Sequence, residues 1–232
     1  MVEIGGHPIL WHIMHHYAYF GISEFVVAVG YRGSQIKSYL TNFSTANRDI
    51  RIRLASGEVE VLSREADENW VVDVIDTGIS TETGGRIRRL GSSLRNETFM
   101  VTFGDSVSDV NITELVATHQ KHGRLATVTA VHPPARFGEL RLDGNEVIEF
   151  SEKPIESGWI IGGYMVMEPG VLEYIDGDDT ALSPEPMERL AKDGQLTAYL
   201  HTGFWQGIDT LRDKILLENL WEHGSPPWRI WS

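Results

Sequence analysis

Apolar and polar positions along the chain fall into alternating blocks of helical and strand-like period. Ile9, Leu10, Ile13, Met14 and Tyr17 share one stripe of a helix expected over 8–20, with Pro8 suited to its first turn and Gly21 to its stop. The unbroken apolar run from Phe25 to Gly30 predicts a buried parallel strand. A helix is expected over 33–43, strand-like stretches at 50–54, 58–62 and 71–75, and a helix after Gly84-Gly85 carrying Arg86, Arg88 and Arg89. Residues 97–103 give the clearest signal of a buried strand, ending at Gly104-Asp105. Asn111 is placed to cap a helix running to His122, and Leu125 to Val131 returns as a strand.

From about 137 the texture changes. Two short strands, 138–142 and 147–151, flank Asp143-Gly144-Asn145 and predict a hairpin. A strand over 158–167, helices at 169–175 and 184–193, a strand at 195–201 and a helix over 210–222 complete the chain. The tail SPPWRIWS cannot continue that helix, so its two tryptophans are expected to dock on a neighbouring surface. This alternation predicts an α/β layered fold with a largely parallel sheet. With no repeat or long linker, 1–232 reads as a single domain closed by a helix and aromatic tail over 203–232.

Composition narrows the function classes. A net charge of −13 opposes general binding to nucleic acid or to an anionic membrane, because either partner would be repelled. The absence of cysteine excludes disulfides and thiolate metal sites. No apolar run approaches the roughly 18–20 residues of a membrane span, and the opening MVEIGGHPILWHIM does not resemble a signal peptide. The expectation is a soluble cytoplasmic protein.

Several residue groups can carry chemistry. Thr102-Phe103-Gly104-Asp105 ends an apolar strand, where open α/β sheets bind ligands; Gly104 would admit a ligand to the backbone and Asp105 would face it. The same residues also suit a plain strand-to-loop turn. Asp209, just after Gly207 and before a helix, reads either as an N-cap or, with Asp105, as half of an oxygen site for Mg2+. Such a metal would neutralise charge on a reacting phosphate. In Glu152-Lys153-Pro154, Lys153 suits a phosphate and Glu152 sugar hydroxyls, against a solvated hairpin end. Thr81 to Arg86 (TETGGR) offers backbone N–H groups and a guanidinium to a phosphate or base edge. Gly162-Gly163 either lets a sugar pack on the main chain or simply allows close strand packing. His12, His15 and His16 lie on the first helix without metal spacing and read as surface or packing residues, and Ser183 and Ser225 have no triad context.

Taken in order, MVEIGGHPILWHIM, DTG followed by TGGR, FGD, EKP, the Gly pair and FWQGIDTLRDKILLENLWEHGSPPW resemble the bacterial glucose-1-phosphate cytidylyltransferases, a branch of the sugar-1-phosphate nucleotidyltransferases. The resemblance implies a Rossmann-like, doubly wound mixed sheet and transfer of a cytidylyl group from CTP to glucose 1-phosphate. The products would be CDP-glucose, for surface-sugar biosynthesis, and pyrophosphate. It implies Mg2+ held by Asp105 and Asp209, with Lys153 as a third catalytic residue. Thr81, Gly85, Arg86 and Gly104 fall at nucleotide positions; Glu152, Lys153, Gly163 and Trp205 fall at sugar-phosphate positions. It further implies a homo-oligomer, for which the aromatic tail is a candidate interface.

The chain also departs from the pattern. Family members open with a strand, a G-G-x-G-T-R loop and a K-P-K-P segment before M-V-E-I-G-G, whereas here Met1 is that methionine. The expectation is a fold lacking its first central strand, and turnover that depends on an upstream phosphate loop. Ser106, Ile161 and Ile79 replace a common glycine, asparagine and aspartate. A sibling transferring uridylyl, thymidylyl or guanylyl groups, and a non-catalytic sugar-nucleotide-binding relative, are the alternatives.

Overall fold

The structure is a computed structural model of the chain and describes all residues except 47, 63–68, 95–96, 135–138, 152–157 and 232. A two-residue pair, Glu3–Ile4 (β1) and His7–Pro8 (β2), turns at Gly5-Gly6 and leads into helix Ile9–Tyr19 (α1). Strand Glu24–Val29 (β3) and helix Gly33–Thr41 (α2) follow. The hairpin Ile50–Arg53 (β4) with Glu58–Val61 (β5) precedes Val71–Asp76 (β6) and helix Thr83–Arg89 (α3). Next come Phe99–Thr102 (β7), Ser106–Ser108 (β8), helix Ile112–His122 (α4) and Ala126–Val131 (β9). A second hairpin, Glu139–Asp143 (β10) with Glu146–Ser151 (β11), leads to Ile160–Met167 (β12) and a 3-10 turn over Pro169–Tyr174. Helix Glu185–Lys192 (α5), Leu196–Leu200 (β13), Trp205–Gly207 (β14) and helix Leu211–Glu222 (α6) complete the fold.

The main sheet has the order β13-β9-β12-β7. It is mixed rather than largely parallel: β13 runs parallel to β9, and β12 runs antiparallel to both β9 and β7. A separate parallel pair joins β3 to β6, and among the described residues no hydrogen-bonded strand links that pair to the main sheet. This explains a difference from expectation. β3 and β7, each paired along one edge only among the described residues, are half-buried, while β9, with partners on both sides, is buried throughout.

The two-residue period of β12 builds the layers. Tyr164 and Val166 face one core, with Ile9, Ile13, Tyr17, Val107, Leu115 and Trp228; Met165 and Met167 face another, with Ile87, Val171, Leu182 and Leu190. A strand buried on both faces reads as a near-continuous apolar run, as β12 does where it is buried, from Gly162 to Met167. Helix α4 begins as expected, with the Asn111 side chain accepting the Glu114 N–H at 3.1 Å. Among the described residues no helix is long and apolar enough to cross a membrane.

The tail docks within the chain. Trp228 is 1% exposed and stacks on Phe204 and Trp221, so it is not available as an interface to a neighbouring subunit. Its indole N–H donates to His12 Nδ1 at 3.3 Å. Since an indole nitrogen only donates, His12 must be neutral, with its proton on Nε2 and directed to the Ile4 carbonyl at 3.0 Å. His12 and His16 are therefore packing residues, 1% and 2% exposed. Burial lowers His12, His15 and His16 from 6.5 to about 4.

The unfolded chain binds protons at these sites near pH 6.5, the folded chain only near pH 4. Their contribution is thus complete above about pH 6.5 and lost as pH falls through the window between the two values, at about 1.4 kcal/mol per pH unit for each buried histidine. Urea-denaturation midpoints should fall steadily from pH 7 to pH 5. A midpoint constant over that range would contradict the neutral, buried assignment.

Candidate active site

The site is built by a ribbon of two three-residue strands. β7 ends at Thr102, Phe103 N–H bonds to the Gly163 carbonyl at 3.0 Å, and the chain turns through Gly104-Asp105 into β8. β14 pairs antiparallel with β8 in the register Trp205 with Ser108, Gln206 with Val107 and Gly207 with Ser106. The Ile208 N–H then donates to the Asp105 carbonyl at 2.8 Å. Residues about a hundred apart in sequence are thereby brought side by side: Asp105 immediately precedes one strand, and Asp209 follows the other with Ile208 between.

Both carboxylates line a cleft of about 150 Å3, whose walls include Gly162, Gly163 and Trp205. Burial first, and the Asp209 charge second, hold the Asp105 carboxyl above its ordinary range. Gly163, at φ 82°, is left-handed, and a side chain at Gly162 would strike Val131 at 2.7 Å. The Gly pair therefore presents bare main chain to the cleft. Trp205 spends its indole N–H on the Gly162 carbonyl at 2.7 Å, which fixes the ring as a wall. A Cβ at Gly104 would meet no atom within 4 Å, so the main chain there is open to a ligand. The Ser106 hydroxyl, in a residue 2% exposed that borders the cleft, has no hydrogen-bond partner among the described residues.

Thr81, Gly85 and Arg86 form a separate group beyond the C-terminal ends of β3 and β6, and none of them lines the cleft. Thr81 is buried. Arg86 donates to the Val29 carbonyl at 3.2 Å and to Thr77 Oγ1 at 2.7 Å. A Cβ on Gly85 would lie 2.4 Å from the Asp178 carbonyl oxygen, so glycine lets α3 close onto that turn. Arg89 grips the Asp178 carboxylate with two hydrogen bonds, at 2.8 and 2.5 Å. Glu152 and Lys153 lie outside the described residues.

Two further carboxylates, not singled out by sequence, frame β14. Asp109 accepts the Phe204 N–H at 2.7 Å and meets His201 Nε2 at 3.0 Å. Burial would raise the Asp109 carboxyl, but the His201 contacts hold it below its ordinary value. Ser108 Oγ lies 3.3 Å from that same nitrogen, so the trio is no proton relay, which would need both ring nitrogens of the histidine. At the other end Asp213 closes a capping box with Thr210. The pattern T-x-x-D is the signal that marks it in sequence.

Among the described residues no group of three His, Cys, Asp or Glu side chains is arranged to hold a metal. The pair Asp105 and Asp209 still fits Mg2+, which binds through one or two carboxylates, retains waters and completes its shell with substrate phosphates.

A nucleotidyl transferase family model matches residues 1–215. Over its whole length the chain is 45% identical to glucose-1-phosphate cytidylyltransferase of Salmonella typhi and 38% identical to the probable glucose-1-phosphate cytidylyltransferase of Bacillus subtilis, covering 91% of each. Among solved structures, HddC from Yersinia pseudotuberculosis superposes with a TM-score of 0.67 at 18% identity, over 95% of this chain and 88% of that one. A UDP-glucose pyrophosphorylase complexed with UDP-glucose also superposes at 0.67, with 17% identity over 96% and 89% of the two chains. The carboxylate pair, the mixed α/β sheet and these matches agree: the chain belongs to the nucleotidyl transferase family, with glucose-1-phosphate cytidylyltransferases among its full-length relatives.

Proposed function

We propose that the chain transfers a cytidylyl group from CTP to glucose 1-phosphate, giving CDP-glucose and pyrophosphate. The observation that carries this reading is the β8–β14 pairing, which sets Asp105 and Asp209 on one cleft beside exposed main chain in a protein similar throughout to glucose-1-phosphate cytidylyltransferases. A phosphate oxygen of the sugar phosphate attacks the α-phosphorus of CTP. As that P–O bond forms, the bond from the α-phosphorus to the bridging oxygen of the β-phosphate breaks, and pyrophosphate leaves. When bound by Asp105 and Asp209, Mg2+ supplies charge neutralisation on the phosphates. The chain's own part is to hold the reactants in line and to exclude competing geometries.

In this reading the Gly162-Gly163 main chain and the Trp205 ring seat the sugar, and Glu152 and Lys153 are assigned to its hydroxyls and phosphate by the family resemblance alone. Gly104 admits the nucleotide to the backbone, and the loop through Thr81, Gly85 and Arg86 serves its base and ribose. That loop lies where parallel strands end, as nucleotide sites in such sheets do. The Arg86 bonds to Val29 and Thr77 leave it shaping this loop rather than pointing freely at a phosphate. Assembly as a homo-oligomer in the cytoplasm completes the proposal, with surfaces other than Trp228 at the interface.

Pyrophosphate release should require CTP, glucose 1-phosphate and Mg2+ together, and proceed much faster with CTP than with UTP, dTTP or GTP. Preference for another nucleotide would replace the cytidylyl assignment with one of those siblings. Asp105→Asn should lower kcat by at least about a hundredfold while leaving the fold intact by circular dichroism. A loss under about fivefold would sink the metal role of Asp105.

A further inference from the structure

Asp209 is held from behind by a buried carboxylate. Asp213, in the first turn of α6, is 8% exposed and does not line the cleft. Its Oδ2 accepts the Asp209 N–H at 3.2 Å, the Thr210 N–H at 2.9 Å and the Thr210 hydroxyl at 2.8 Å. Its Oδ1 receives Gln206 Nε2 at 3.4 Å, and Gln206 also donates to the Gly207 carbonyl at 2.8 Å.

Capping a helix needs only part of this. The capping box requires the Thr210 oxygen on the Asp213 N–H, at 3.3 Å, and the Asp213 carboxylate on the Thr210 N–H. The bonds to Asp209 and Gln206 reach past the cap to the end of β14. They fold residues 206–210 around one carboxylate, so the Asp209 backbone is referenced to α6, which is anchored in the core by the fully buried Leu217. On its other side the Ile208 N–H ties the same segment to Asp105. With the main chain held on both sides of Asp209, its side chain starts from a fixed point.

We propose that Asp213 is a positioning residue that sets the Asp209 carboxylate for metal binding, an inference that rests on reading Asp105 and Asp209 as the metal pair. It touches neither substrate nor metal and acts through the Asp209 and Thr210 amides. Groups behind a metal ligand typically govern about ten- to a hundredfold in metal affinity.

The test compares Asp213→Asn with Thr210→Ala in the full chain. Thr210→Ala removes the cap hydroxyl but leaves the Asp213 carboxylate on the Asp209 and Thr210 amides. Asp213→Asn replaces a charged acceptor of several donors with a neutral amide. Mn2+ binding is followed by electron paramagnetic resonance with CTP present and the sugar phosphate omitted, alongside a thermal melt of each variant. Asp213→Asn should weaken Mn2+ binding by about tenfold or more, and Thr210→Ala by less than about threefold, whichever lowers Tm further. Equal Mn2+ affinities in the two variants would overturn the proposal and reduce Asp213 to a helix cap. If Asp213→Asn does not fold, Asp213→Glu, which displaces the carboxylate by one methylene, carries the comparison; unchanged affinity there overturns the proposal equally. Absence of Mn2+ binding by the unaltered chain would overturn the metal pair itself, a result distinct from failure of Asp213 alone.

Discussion

The pairing of β8 with β14 is the constraint on which the site depends. Three residues on each side, in a register that sets Gly207 opposite Ser106, close a loop of about a hundred residues and leave an aspartate at the same end of both strands. A slip of one residue would turn every side chain of β14 to the other face and carry Asp209 out of the cleft. So short a ribbon cannot hold its own register. It is held instead by what surrounds it: Asp109 on the Phe204 amide, the Trp205 indole on Gly162, Asp213 on the amides of Asp209 and Thr210, and a β8 that is buried at all three positions.

The rest of the fold supplies that setting. β12 divides the molecule into two cores by its alternating faces, and its bare Gly162-Gly163 segment lines the same cleft as the two aspartates. Val107 of β8 packs into the same core as α1, and α1 in turn receives the C-terminal tail through the bond from Trp228 to His12. The first and last segments of the chain are thus packed together behind the ribbon. Neutral, buried histidines are part of that packing.

Much of the layer structure was legible in the sequence, because it rests on local periodicity. The helix over residues 9–19 shows its stripe, Asn111 announces its helix, and the hairpin around Asp143-Gly144-Asn145 follows from turn chemistry. Asp105 and Asp209 stood out as carboxylates at strand and helix ends. What the sequence could not show was the ribbon joining them, since three-residue strands carry no period and their pairing is a long-range choice. The mixed direction of the main sheet was hidden for the same reason. Asp213 was not singled out: its T-x-x-D spacing with Thr210 signals only a helix cap, and its reach to Asp209 is a tertiary feature. Arg86 had the right residue type beside the right glycines, and only the folded chain reveals that its guanidinium is engaged by Val29 and Thr77.

As proposed, the ribbon makes one divalent-metal site from Asp105 and Asp209. The most direct measurement is the anomalous scattering of Mn2+ in crystals grown with CTP. The expected result is one peak in the cleft with a carboxylate oxygen of each aspartate within about 2.5 Å and the nucleotide phosphates completing its shell. An ordered nucleotide whose metal touches neither aspartate, or only one of them, would contradict it.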